Sequence, residues 1–377
     1  MKKRLIGFAL SAAMLFASLS VPAFAAAPET AAEEDTQPAA VVTEAAPEEE
    51  NTVIPEEETA EQSVTEEAAP AAEEESPAVE EPAVTAETAE DEEELEHLTY
   101  VALGDSICAG IGLTNVQYSH NLMGVDVSYN FKGYPEASYV GQVAKMLGLD
   151  RDHAINLGLP GAMSKDIVEM TSTGTMKEMN MLSGCQYDYP EFIDYIKSAD
   201  VISVQLGSND AFVPTVVSFG EATSWKSEDL ASIVLSGNLR GGNTEAESAL
   251  RESLKKLKLT RSEKDAVWKL FFTGMDEICE NAYPESTSNL RQIIENIQAL
   301  NPDAQILIVG ATNPVPLLSS WTNYFNKLNK YEKQLADVYG CTYVAVPFAQ
   351  TELDGHPTVA GHKYIARKIV RAIEANQ

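Results

Sequence analysis

The stretch Leu98-Thr99-Tyr100-Val101-Ala102-Leu103-Gly104-Asp105-Ser106 decides how the rest of the chain is read. A short, β-prone, largely apolar run ends in a glycine and is followed by two polar residues. The same pattern returns in Val201–Leu206 before Gly207, in Gln305–Val309 before Gly310 and in Thr342–Val346 before Pro347, with Ala154–Leu157 as a shorter candidate. Nearly continuous apolar runs are what strands covered on both faces require. Helical patterns alternate with them. Ser138–Leu147 carries Val140, Val143 and Leu147 on one stripe. Ser288–Leu300 carries Leu290, Ile293, Ile294 and Ile297 at helical spacing and stops at Asn301-Pro302. Trp321–Tyr339 and Val359–Ala375 are two more. Strand–helix alternation predicts an α/β domain with a central parallel sheet and helices on both faces. Ligands then bind beyond the carboxyl ends of the strands.

One region breaks the alternation. Phe212 to Pro284 separates two core elements by about seventy residues. Ala246–Leu257 and Ser262–Phe272 read as helices, and Ser236–Asn243 is glycine-rich. This predicts a helical insertion, about 212–284, which either shapes access to the site or only stabilises the fold. Its aromatic residues Trp225, Trp268, Phe271 and Phe272 could line a groove, but are more often core.

The charge distribution bounds the domain. The 377 residues carry 26 Lys and Arg against 58 Asp and Glu, a formal net charge of -32. Ala26 to His97 holds 26 of the acids, no Lys or Arg, no aromatic residue and no glycine. Such a segment cannot bury enough apolar surface to offset chain entropy. Its like charges extend it and its prolines stiffen it. Residues 26–97 are therefore expected to be an acidic disordered linker, a spacer that could also bind cations or a basic partner. Residues 98–377 remain for one sizeable domain with a net charge of only -9. The acidic balance argues against a nucleic-acid partner, because that affinity comes from Lys and Arg on phosphates.

Residues 1–25 read as a secretory signal peptide. Lys2, Lys3 and Arg4 precede the apolar Leu5–Val21, and Ala23-Phe24-Ala25 has the small-x-small form of a cleavage site. The expected protein is secreted, cleaved near Ala25, with no stable membrane insertion afterwards. The four cysteines, Cys108, Cys185, Cys279 and Cys341, form no CxxC pair. They are either bridged, as export permits, or buried free thiols.

Four blocks carry the chemistry. Gly104-Asp105-Ser106 puts a serine on the turn after the first strand, where a nucleophile is exposed at the sheet edge. Asn156-Leu157-Gly158-Leu159-Pro160-Gly161-Ala162 offers the backbone N–H of Gly161, which no Cβ obstructs. Gly207-Ser208-Asn209-Asp210 offers the Asn209 amide to a developing oxyanion, although all four residue types also favour plain turns. Asp354-Gly355-His356-Pro357 places a histidine before the last helix. Of the five histidines only His356 follows a strand and adjoins a carboxylate, whereas His362 reads as a helix-surface or packing residue.

This order of Ser, Gly, Asn and His blocks resembles the SGNH hydrolases, also called GDSL esterases and lipases, over most of 98–377 apart from the insertion. The resemblance implies a flavodoxin-like three-layer α/β/α fold and carboxylic-ester hydrolysis with no cofactor and no metal. It implies Ser106 as nucleophile, His356 as base, and an oxyanion hole from the N–H groups of Ser106 and Gly161 and the side chain of Asn209. The substrate would be a small ester, a glycan O-acetyl group or a lipid ester. The family usually has Asp three residues before the histidine, and here Leu353 stands there. Asp354, Glu352 or the Leu353 carbonyl is left to orient His356, with Asp354 the expected acid. That departure keeps open a non-catalytic binding module on a hydrolase scaffold. A thioesterase or peptidase could use the same site. Oligomeric state is not legible.

Overall fold

The computed structural model describes residues 98–113, 130–177, 187–227, 229–230, 233, 243–313, 318–352 and 355–376. Five strands form one parallel sheet: β1 (Tyr100–Gly104), β2 (Ala154–Gly158), β3 (Val201–Gln205), β4 (Gln305–Val309) and β5 (Thr342–Val344). Their order is β2-β1-β3-β4-β5, the flavodoxin-like order. Tyr100 pairs with Ala154 on one side and Val201 on the other, and the register runs to Gly104 opposite Gly158 and Gln205. The chain leaves β1 towards β2 and then returns past it to β3. The crevice opened by that reversal lies over the carboxyl ends of β1 and β3.

Side-chain alternation along each strand builds two cores. Val101, Leu103, Ile155, Leu157, Ile202, Val204, Ile306 and Ile308 face one layer of helices. That layer includes α3 (Ser164–Thr173), α4 (Glu191–Lys197), α8 (Met275–Leu300) and α9 (Ser319–Tyr339). Tyr100, Ala102, Ala154, Val201, Leu307, Val309 and Val344 face the other layer, α2 (Tyr139–Leu147) and α10 (Val359–Glu374). This is the three-layer arrangement expected. Leu157 and Ile202 have no exposed surface, so truncating either to Ala would cost about 2–5 kcal/mol. Inside the sheet the Ser203 and Tyr100 hydroxyls satisfy one another, with Oγ and OH 2.7 Å apart.

Helix signals act locally as expected. Ser138 caps α2 by accepting the Gly141 N–H at 3.1 Å, and Gly148 ends the helix in the left-handed conformation. His362 is fully buried on α10, and its Nδ1 accepts the Tyr139 N–H at the start of α2 at 3.2 Å. It is a packing residue that joins the two helices of its layer.

The region of the expected insertion differs in form. α5 (Ser208–Ala222) starts directly after β3 and continues through Pro214. α6 (Thr244–Lys256) and α7 (Arg261–Lys269) follow. α7 passes through one π-helical turn, Leu270–Gly274, into α8 without a break, and α8 continues through Pro284. Proline there removes one backbone donor but does not end the helix, because α8 is held by its apolar stripe from Leu290 to Ile297 on the sheet. At 26 residues α8 is about 39 Å long. A five-residue strand spans about 17 Å, so the first half of α8 stands beyond the carboxyl edge of the sheet. Phe272 is 70% exposed and Trp225 is 54% exposed, so these two aromatics are not core.

Cys108, Cys279 and Cys341 are free thiols, and Cys185 lies outside the described residues. Burial pushes the Cys279 and Cys341 thiols up to about 11, which leaves them neutral and unreactive near pH 7. Among the described residues no helix is long and apolar enough to cross a membrane.

Candidate active site

Three consecutive strands of the sheet, β2, β1 and β3, end at one edge, and each delivers one of the singled-out residues. After β1, Asp105 caps the short helix α1 (Ser106–Ala109), its Oδ1 accepting the Ile107 N–H at 2.9 Å. Ser106 is the first residue of that helix and is half-buried, whereas its neighbours are buried. The turn is held from the side by Asn156 on β2. Its Nδ2 donates to the Cys108 carbonyl at 3.0 Å, and its Oδ1 accepts the Gly158 N–H at 2.8 Å.

After β2 the chain turns at once. Leu159 N–H donates to the Gly104 carbonyl at 2.9 Å, which lays the turn against the end of β1. Ala162 N–H closes the turn on the Leu159 carbonyl at 3.0 Å. Pro160 and Gly161 are its central residues, and Gly161 has φ +78°. A proline followed by a left-handed glycine is what a type II turn demands. This is why Gly161 occupies the corner nearest the neighbouring strand ends.

After β3, Gly207 adopts φ +98° and begins α5. The left-handed conformation is what requires glycine, and a Cβ on it would also lie 2.6 Å from Leu328 Cδ2, so that the leucine would have to shift. The Tyr324 hydroxyl donates to the Gly207 carbonyl at 2.7 Å and sits 2.9 Å from Ser286 Oγ. Asn209 is buried, and its Nδ2 donates to the Ala162 carbonyl at 2.8 Å. Asp210 accepts two bonds from Ser164, from Oγ at 2.5 Å and from N–H at 3.1 Å. Asn289 on α8 donates to the same Ser164 hydroxyl at 3.0 Å. The turns after β2 and β3 are thus cross-linked twice.

His356 arrives on the loop between β5 and α10. Glu352 N–H donates to the His356 carbonyl at 2.8 Å, and Gly355 N–H donates to the Glu352 carbonyl at 3.1 Å. Thr358 N–H donates to the Gln350 carbonyl at 2.8 Å before Thr358 caps α10. The loop is therefore folded back on itself, with Gly355 at φ +86° in the bend. Leu353 and the expected acid Asp354 lie outside the described residues. His356 is half-buried. Phe348, at the base of the same loop, is 78% exposed.

Two carboxyls at this edge are unusually basic. Burial pushes Asp105 up to about 6, with Asp210 adding to the rise and the Ile107 N–H and His356 opposing it. Burial likewise pushes Asp210 up to about 6 against the bonds from Ser164. The blocks containing both acids were legible in the sequence, but neither acid was marked as functional. Ser164 and Asn289 carried no sequence signal at all, because their roles come from which turn and which helix they meet. Among the described residues no group of three or more His, Cys, Asp or Glu side chains is placed to hold a metal ion.

The sequence model of the GDSL-like lipase/acylhydrolase family matches residues 102–364, and the chain belongs to that family. It is a carboxylic-ester hydrolase of the GDSL, or SGNH, type. Three solved structures similar to it are a lipase from a goat rumen metagenome, an extracellular lipase from Streptomyces rimosus and a carbohydrate acetylesterase, Est24, from Sinorhizobium meliloti. The first is 14% identical, covering 73% of this chain and 96% of that one at TM-score 0.42. The second is 17% identical, covering 74% and 100% at TM-score 0.39. The third is 13% identical, covering 74% and 100% at TM-score 0.39. No curated protein sequence matches the chain.

Proposed function

We propose that this protein is exported and hydrolyses carboxylic esters through an acyl-enzyme on Ser106, with His356 as the base. The observation that carries the reading is the convergence of Ser106, Gly161 and Asn209 on the adjacent ends of β1, β2 and β3. Family membership supplies the reaction class. His356 takes the Ser106 hydroxyl proton as Oγ attacks the ester carbonyl. The carbonyl oxygen becomes an oxyanion facing the N–H groups of Ser106 and Gly161 and the Asn209 amide. One amide N–H of Asn209 is committed to Ala162, and the other is the one the oxyanion takes. The imidazolium then returns its proton to the leaving alcohol. Water, deprotonated by the same histidine, cleaves the acyl-enzyme and regenerates Ser106.

The substrate class is a small ester, a glycan O-acetyl group or a lipid ester. In the full reading, residues 1–25 direct export, 26–97 form a spacer and 98–377 form the catalytic domain. The test is hydrolysis of p-nitrophenyl esters from acetate to palmitate by the wild type and by Ser106→Ala. Activity abolished in the variant is the expected result. Undiminished hydrolysis by Ser106→Ala would remove the serine mechanism. The chain-length profile separates an acetyl esterase from a lipase. N-terminal sequencing of protein recovered from culture medium checks cleavage after Ala25.

A further inference from the structure

Asn156 is the one polar side chain of β2, and it is only 4% exposed. By strand alternation it shares a face with Ala154, in the apolar layer against α2 and α10. An amide buried in such a layer is costly unless its donors and acceptors are met. Here two segments that carry the site meet them. Cys108 Sγ and the Gly158 N–H both donate to Oδ1, at 3.3 Å and 2.8 Å. That fixes the amide so that Nδ2 faces the Cys108 carbonyl, to which it donates at 3.0 Å. One side chain therefore ties α1, which begins with Ser106, to the end of β2, where the turn holding Gly161 starts. A four-residue helix such as α1 is not stable by itself and takes its position from such ties. The two segments are also in direct contact, since a Cβ on Gly158 would lie 2.4 Å from the Ala109 nitrogen.

We propose that Asn156 is a positioning residue for the hydrolysis: by holding the Cys108 carbonyl and the Gly158 N–H at once, it sets the spacing between the Ser106 and Gly161 N–H groups, the two main-chain donors that face the oxyanion. This rests on the assignment of Ser106 and Gly161 above and adds what keeps them in register. Asn209 and Ser164 join the turns after β2 and β3. The nucleophile's own turn is joined to them by Asn156 and by the Leu159 N–H on the Gly104 carbonyl. Asn156 touches no reacting atom, and no proton passes through it. Donors already in place when charge develops lower the barrier without binding the ester more tightly, so the contribution falls on kcat.

Asn156→Asp keeps the shape of the side chain and the acceptor for Gly158, but a carboxylate opposes the Cys108 carbonyl. It is expected to lower kcat on p-nitrophenyl acetate about 10²-fold with KM nearly unchanged. Inhibition by phenylboronic acid, whose adduct on Ser106 is tetrahedral, should weaken by a similar factor. When protonated, the introduced carboxyl donates to the Cys108 carbonyl as the amide does. The ratio of variant to wild-type kcat should therefore rise as pH falls, and titration of His356 cancels in that ratio. Asn156→Ser, too short to span both partners, should show the same loss and carries the test if Asn156→Asp does not fold. A merely structural amide would lower the melting temperature only. Wild-type kcat and wild-type boronate inhibition in either folded variant overturn the inference. Ser106→Ala is run beside them. Full activity there overturns the nucleophile assignment itself, a different failure from an unchanged Asn156→Asp.

Discussion

Ser164 binds the Asp210 carboxylate twice, through its hydroxyl at 2.5 Å and its backbone N–H at 3.1 Å. The first residue of α3 is thereby locked to the first turn of α5, and with them the two turns that carry Gly161 and Asn209. The second lock, Asn209 to the Ala162 carbonyl, joins the same turns directly. An oxyanion hole works through donors that are already placed before charge develops. The Ser164–Asp210 pair is what places two of the three.

Ser164→Ala removes the stronger of those bonds and leaves a buried carboxylate one partner short. The expected loss of stability is about 1–3 kcal/mol. Thermal unfolding at pH 7 measures it. A fall in kcat with KM little changed should accompany it, and a variant with wild-type kcat would show that Asn209 and Gly161 are held by other means.

Asn209→Ala removes the side-chain donor from the oxyanion hole. Loss of one such donor lowers kcat about 10²–10³-fold. The same change frees the Ala162 carbonyl, so the melting temperature should drop as well. Steady-state kinetics on p-nitrophenyl acetate decide the point, and a loss confined to KM would contradict the assigned role.

Gly207→Ala forces an L-residue into φ +98° and drives its Cβ to 2.6 Å from Leu328 Cδ2. Backbone strain of this kind amounts to about 1–3 kcal/mol. Because Gly207 begins the helix that carries Asn209, esterase activity should fall along with stability. Circular dichroism melts and kinetics on one preparation report both, and a variant as stable as the wild type would disprove the strain argument.

Glu332 on α9 has only 1% exposure and accepts the Ala311 N–H at 3.3 Å. Burial pushes its carboxyl up to about 8, against an ordinary value of 4.5. Between those values the folded protein holds a proton that the unfolded chain has lost. Stability therefore falls as pH rises from 4.5 to 8. Asp105 and Asp210 act in the same direction between 3.8 and about 6. Glu332→Gln, which cannot ionise, should flatten the upper part of this slope. Denaturant titrations from pH 5 to 9 test it, and parallel curves for variant and wild type would mean that Glu332 is not protonated when folded.

Much of the fold was legible because strand and helix signals are local. The apolar runs at 100, 154, 201, 305 and 342 are strands, and the first four are buried on both faces but for Gln305, whereas the edge strand β5 is only partly covered. The edges shifted by a residue or two, since pairing partners end a strand as much as its own sequence does. Helices α3, α4 and α5 gave weak signals. The β-branched and polar residues of α3, the shortness of α4 and the Pro214 and Gly220 of α5 leave them held by packing on the sheet rather than by propensity. Pro284 reads as a boundary in sequence, but α8 runs through it because its downstream apolar face is anchored.

The candidate site divides along the same line. Ser106, Gly161, Asn209 and His356 were marked by motif chemistry at strand ends, a property of the chain alone, as was the separation of an acidic leader from a near-balanced domain. Only the tertiary structure decided that Ser164 and Asn289 brace Asp210 and that His362 packs against α2. Each of these contacts joins residues far apart in the chain, and nothing local encodes which buried carboxyl will meet which donor. Parallel pairing of β2, β1 and β3 brings them to one edge, and burial there sets the charge each can carry.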